Sequence, residues 1–483
     1  RGFRFRRNQR LQSLLIPCSP PEIECFIIGT TRWKHISYLR LENPSLTALS
    51  FQPFMSNDSD NVDSIDAGLK SQQSQLTPKR VASIDAYRGL VMFLMLAEIL
   101  HLDKLRNVFD GDNWMGTMAG WIQFNTTHVA WTGCSLHDMI QPSFTFLVGA
   151  AMAFSIVSRQ SKGQSWSLLL RHALGRSVIL IVLGIFLRSL GKPSTNFTFD
   201  DTLTQIGLGY WILFLLSCFT IRGLSVSLTI VLVGYWVCFV LYPAPAPDFP
   251  YAQYGVPVDW PEHWKDGLAT HFNKNSNLAW AFDRWWMNLF PREKPFEYSG
   301  GGYATLSFIP TLGTMILGLI AGRLLLSGVD WGRKFGALVA VGAVCLTVSY
   351  LVDILGVCPI VKRIWTPSWT LWSGGICFLW LAGLSLVCDQ FKFTIWAFPF
   401  SVIGANSIVA YVMSWTMEKS THAALIRHFG SWIEWLSEQI IGILQIDAAK
   451  SGLIASFLIG IATLKIFWLI LFWLYRNRIF VRI

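Results

Sequence analysis

Runs of about twenty consecutive, mostly apolar residues recur along this chain, and they limit its fold more than any other feature. A helix rises ~1.5 Å per residue, so ~20 residues cross the ~30 Å hydrocarbon layer of a bilayer. No water is available there to satisfy backbone amides and carbonyls, which leaves helices or closed barrels as spanning structures. A barrel requires segments of about ten residues that alternate polar and apolar. Runs such as SVILIVLGIFL show no alternation. The expectation is an all-α polytopic membrane protein with about ten transmembrane helices, ten or eleven, at 86–102, 139–157, 173–191, 203–220, 224–242, 303–326, 335–355, 368–388, 394–415 and 452–474.

Composition agrees: 52% of the 483 residues are apolar and only 14% charged. The net charge of +10 is spread through loops between apolar runs and forms no basic-aromatic patch, so nucleic acid is not an expected partner; the lipid bilayer is. Lys and Arg favour the cytoplasmic side. Arg159, Lys162, Arg171 and Arg176 fall at the second connection, Arg222 at the fourth, Arg323, Arg333 and Lys334 at the sixth, Lys392 at the eighth, and Arg476, Arg478 and Arg482 after the last run. With ten crossings both termini are cytoplasmic, in a plasma (inner) membrane, and the loops 103–138 and 243–302 lie outside. The main discordant pair is Lys362 and Arg363, which this count places outside. Nine cysteines without metal-type spacing predict no metal site; a Cys134–Cys358 bridge stays open because the count puts both in one compartment.

Residues 1–78 are expected to be a disordered N-terminal segment, with Met55, ahead of a polar Ser/Asp/Asn/Gln-rich stretch, a candidate start. The membrane domain is expected over 79–483. Within it, 416–450 carries Trp432, Trp435, Leu436, Ile440 and Ile443 at helical spacing among Glu434, Glu438 and Gln439, which reads as an interfacial amphipathic helix. The Gly318/Gly322 pair reads as a close helix contact.

Chemistry concentrates in HVAWTGCSLHDMIQPSFTFLVG, 128–149, where a polar loop runs directly into an apolar helix. Ionisable groups are costly near hydrocarbon unless paired, hydrated or used. An imidazole such as His128 can take a proton or attack an acyl group, and a carboxylate such as Asp138 can orient it. Asp138 can equally cap the helix that follows it. Glu98, inside the first apolar run, must be paired, protonated or water-facing. Asp85 and Arg88 sit one helical turn apart and can pair; the alternative is that Arg88 holds a phosphate or carboxylate. The loop 243–302 is rich in tryptophan (Trp260, Trp264, Trp280, Trp285, Trp286), which suits either sugar faces or a membrane interface. Motifs for nucleotide hydrolysis, dinucleotide binding and common hydrolases are missing.

SIDAYRGLVMFLM (83–95) and the 128–149 block, with IWTPSWTLWSGG (364–375) and GANSIVAYV (404–412), resemble the heparan-α-glucosaminide N-acetyltransferase family and its bacterial relatives. The resemblance implies a membrane acyltransferase that moves an acetyl group from cytoplasmic acetyl-CoA to an amino sugar or glycan acceptor on the outer face. His128 matches the family's active-site histidine and Asp138 its nearby aspartate. Trp131 and Asn406, inside the matched blocks, are candidate substrate-binding residues. Arg88, Arg159, Arg171 and Arg176 are candidates to meet the CoA phosphates, and a homodimer is among the expected assemblies. Some relatives are transporter-like, so an amino-sugar (N-acetylglucosamine-type) transporter, with Glu98 as coupling acid, is the alternative.

Overall fold

A computed structural model describes residues 81–257, 259–260 and 266–481. The expected N-terminal segment 1–78 lies outside the described residues, as do His263 and Trp264. The helices in order are α1 Ala82–Leu96, α2 Trp114–Thr126, α3 Ile140–Gln160, α4 Trp166–Ser189, α5 Thr202–Leu216, α6 Ile221–Leu241, α7 Leu278–Trp286, α8 Phe308–Leu326, α9 Trp331–Ile354, α10 Pro367–Leu384, α11 Phe398–Ala405, α12 Ser407–Thr416, α13 Glu418–Leu444 and α14 Ser451–Arg476. Short 3-10 turns connect several of them. Among the described residues the one β pairing is an isolated bridge, Thr132 with Val361.

The protein is an all-α polytopic membrane protein, and each of the ten predicted runs falls on a helix. Seven helices are long and apolar enough to cross by themselves: α3 with its leading turn, α4, α6, α8, α9, α10 with its trailing π turn, and α14. The run at 394–415 is broken, with α11 and α12 meeting at 68° to make an eighth crossing if they act as one. The two remaining runs form 15-residue helices, α1 and α5. Each spans roughly 22 Å, short of the ~30 Å hydrocarbon layer. In α1 the α-helix ends just before Glu98, and a 3-10 turn, Ala97–Leu100, carries the chain on to His101 at φ 48°.

Lipid does not drive helices together as water does, so their association relies on close packing. α8 is the most enclosed helix and runs along α3; α9 lies along α10, α4 along α5, and α11 along α1. At the α3–α8 contact the backbones touch. A Cβ on Gly318 would overlap the carbonyl oxygen of Phe146, and one on Gly149 that of Met315. The outward faces of α4, α6 and α9 show Val178, Val182, Ile230, Val233, Val344 and Val348, as lipid contact requires.

α13 is one continuous 27-residue helix that packs Leu425, Ile433 and Ile441 inward and leaves Ile426, Phe429, Trp432 and Trp435 exposed. It does not reach the apolarity of the crossing helices. In the 243–302 loop, Trp280 is buried against Phe249 and Tyr254 and donates to the Glu297 carbonyl, whereas Trp285 stays exposed. The run Asn273–Asn277 is buried throughout, so this segment has a polar core of its own.

Candidate functional site

The loop 127–136 delivers His128 to the mouth of α3. Thr126 and Thr127 hydroxyls back-bond to the last turns of α2, and Gly133, at φ +105°, allows the reversal that brings the chain to Asp138. Asp138 makes no side-chain cap on α3; its carboxylate turns back into the loop. Oδ2 accepts the amides of Val129 and Ser135, each at 3.2 Å, and Oδ1 lies 2.8 Å from His128 Nδ1. The ten-residue separation therefore closes into direct contact.

A second loop completes the cluster. Gly133 N donates to Ile360 O at 3.0 Å beside the Thr132–Val361 bridge, which lays the segment 358–366 against the histidine loop. Lys362 Nζ then sits 3.2 Å from Asp138 Oδ1 and 3.2 Å from His128 Nδ1, with 5% of its side chain exposed and 1% of Asp138. Arg363 joins a third loop: its guanidinium donates to Val129 O at 3.0 Å and Gly301 O at 2.7 Å, and stacks over Tyr303. The main pair of cations that defied the charge count is thus a structural part of the site. That discordance was the signal in the sequence that could have found them.

Proton positions follow from these distances. The 2.8 Å approach of His128 Nδ1 to a carboxylate requires a proton between them, which the imidazole donates, so in the neutral ring Nε2 carries the open lone pair. Burial pushes the His128 pKa below the ordinary histidine range; Asp138 opposes this, and the neighbouring charges of Lys362 and Arg363 add to it. Burial likewise lowers the Lys362 ammonium, with Asp138 opposing. His137 packs against His128 with ring centroids 4.3 Å apart and ring planes tilted by 57°, and its Nε2 lies 3.5 Å from Glu98 Oε1. Glu98 is half-exposed, so this predicted acid is both paired and water-facing.

The other candidates fall elsewhere. Trp131 is buried, donates from Nε1 to Phe272 O, and packs where Gly302, at φ +76°, leaves room for its ring. Asn406 occupies the α11–α12 break, where its amide holds Ile479 O and Val481 N at 3.0 and 2.9 Å. Gly404 beside it packs on Gly89 at the middle of α1, away from Glu98. Arg88 pairs with Asp85 at 3.6 Å. Arg159, Arg171 and Arg176, with His172, line one cleft of about 220 Å³ floored by Met152, Leu169 and Phe214. Arg176 also donates to Tyr210 Oη at 3.0 Å. This cleft runs along the 152–159 part of the 21-residue α3 and His128 lies beyond the other end, roughly 20–30 Å away along the axis. Cys134 and Cys358 are unbridged thiols, pushed up by burial to about 12 and about 11.

No family model matches the chain. Over 388 residues it is 23% identical to the heparan-alpha-glucosaminide N-acetyltransferase of Mus musculus, covering 73% of this chain and 56% of that protein. Over 377 residues it is 24% identical to the protein of the same name from Homo sapiens, covering 69% and 52%. The chain thus spans about half the length of the curated relatives it matches. It is a distant relative of the heparan-α-glucosaminide N-acetyltransferase family.

Proposed function

We propose that the chain is a membrane-bound acetyltransferase in which His128 receives the proton of an acceptor amine. The observation that carries this reading is the His128–Asp138 contact of 2.8 Å at the mouth of α3, which leaves His128 Nε2 as a base on a half-exposed ring. The donor is acetyl-CoA, drawn from the cytoplasmic side, and the acceptor an amino sugar or related glycan on the outer face. The names of the two relatives support the acetyl transfer and the class of acceptor.

The Arg159, Arg171 and Arg176 cleft would hold the donor's phosphates, since guanidinium groups bind them in bidentate fashion. Its place at the far end of α3 suits a donor and an acceptor that approach from opposite sides. This reading requires the thioester arm to run along α3 from the Met152 end of the cleft toward His128. In the transfer the amine nitrogen attacks the thioester carbonyl as His128 Nε2 takes its proton. The C–N bond forms, the C–S bond breaks, and the proton ends on the departing thiol. In this reading both termini are cytoplasmic.

The test is to incubate the purified protein with radiolabelled acetyl-CoA and glucosamine. Labelled N-acetylated product, lost in a folded His128→Ala variant, is the expected result. Absence of product from folded protein that instead accumulates amino sugar in liposomes would overturn it in favour of transport, for which the Glu98–His137 contact supplies a candidate proton-coupling pair.

A further inference from the structure

The mechanism above leaves unused a buried charge that touches its base. Lys362 comes from the loop between α9 and α10, is almost completely enclosed, and touches both members of the His128–Asp138 pair. A lysine withdrawn from water this far loses hydration that a single carboxylate repays only with good geometry, so it is a costly residue to keep unless its charge matters. Its surroundings are equally specific. The groups that face His128 are Asp138 and His137 in the turn that leads into α3, Lys362 and Arg363 on the 358–366 loop, and, behind His137, Glu98 in the turn that follows α1.

Electrostatics sets the consequence. Asp138 alone beside His128 would favour the imidazolium, which has no lone pair to accept a proton. The ammonium of Lys362, at the same 3.2 Å from Asp138 Oδ1 as from His128 Nδ1, neutralises the carboxylate and repels a second proton on the ring. The carboxylate keeps its hydrogen bond to Nδ1–H and so still fixes the tautomer. Orientation and charge are thereby separated: Asp138 supplies the first and Lys362 adjusts the second.

We propose that Lys362 is a positioning residue whose buried ammonium balances Asp138, holding His128 as the neutral Nδ1–H tautomer with Nε2 open. The proposal rests on His128 being the base of the proposed acetyl transfer, but its charge balance is measurable without that reaction. Diethyl pyrocarbonate acylates neutral imidazole, and 38% of the His128 side chain is exposed to it. The experiment follows carbethoxylation of the His128-containing peptide by mass spectrometry across pH 4–8, on the whole solubilised protein. Replacing Lys362 by Met should raise the midpoint of reactivity by at least one pH unit. Lys362→Arg, which keeps the charge, should leave the midpoint near that of the wild type. Asp138→Asn, which leaves Lys362 unopposed, should lower it. A folded Lys362→Met protein with an unchanged midpoint would overturn the proposal. If that variant does not fold, an Asp138→Asn midpoint that stays put or rises would do the same. Because the reagent reads the ring alone, a chain that failed to transfer acetyl could still pass this test, and an active one could fail it.

Discussion

Lys362 Nζ stands 3.2 Å from His128 Nδ1 although 234 positions separate the two in sequence. Both contact Asp138 Oδ1, so two groups from two different loops share one carboxylate oxygen. A base built this way is sensitive to each partner for a different reason, and the predictions separate those reasons.

His128→Ala should lower turnover by about 10²- to 10⁴-fold, the usual loss for a positioned proton acceptor, with acetyl-CoA binding retained. The pH profile of the wild type gives a second check. Burial and the neighbouring cations depress the His128 pKa, so the neutral base is present above it and lost as pH falls through it. The acid limb of kcat/KM should therefore lie below the ordinary histidine range. A larger loss with a trappable labelled acetyl-enzyme in the wild type would mean that the ring carries the acetyl group itself.

Asp138→Ala removes the partner of a buried cation. Breaking a buried pair in this way costs about 3–5 kcal/mol because the remaining charge is uncompensated. Denaturation in detergent should show that loss, and Asp138→Asn, which keeps the shape and a carbonyl oxygen, should be milder.

Arg171→Gln tests the cleft at the other end of α3. A charge-assisted contact to phosphate is worth roughly 1.5–3 kcal/mol, so KM for acetyl-CoA should rise about tenfold or more while kcat is unchanged. An unaltered KM for both Arg171→Gln and Arg159→Gln would remove the cleft from the donor site.

Asp283 gives the 243–302 segment its own pH dependence. Burial raises its carboxyl to about 7, although Oδ2 accepts Thr305 N at 2.9 Å, because Oδ1 is buried without a partner. A raised folded-state pKa contributes stability that is fully present below the unfolded value near 3.8 and lost as pH rises through about 7. Limited proteolysis of this segment should accelerate between those limits, and Asp283→Asn should flatten the dependence.

Gly318→Ala would place a methyl group into the Phe146 carbonyl at the α3–α8 contact. Forcing the helices apart should destabilise the fold by about 1–3 kcal/mol, read as a lower melting temperature. Gly336, with open space where its Cβ would be, should accept alanine without loss.

The sequence by itself determined the helices, because apolar length is a local property and the bilayer demands that every backbone group inside it be bonded within its own segment. The all-α class, the place of each apolar run and the close approach at Gly318 and Gly322 were all legible for that reason. His128 and Asp138 were legible as a candidate pair, but their contact was not, since ten residues of loop can close or stay open. The α11–α12 break at Asn406 was also hidden: its amide is satisfied by Ile479 and Val481, residues that the linear chain places more than seventy positions away. Only the tertiary structure decided that Lys362 and Arg363 belong to the site. Read one residue at a time they are cations on the wrong side of a charge count. They reach His128 and Val129 because the packed helices bring the 127–136, 299–305 and 358–366 loops to one end of the bundle, where burial turns two misplaced charges into partners for Asp138 and the loop carbonyls.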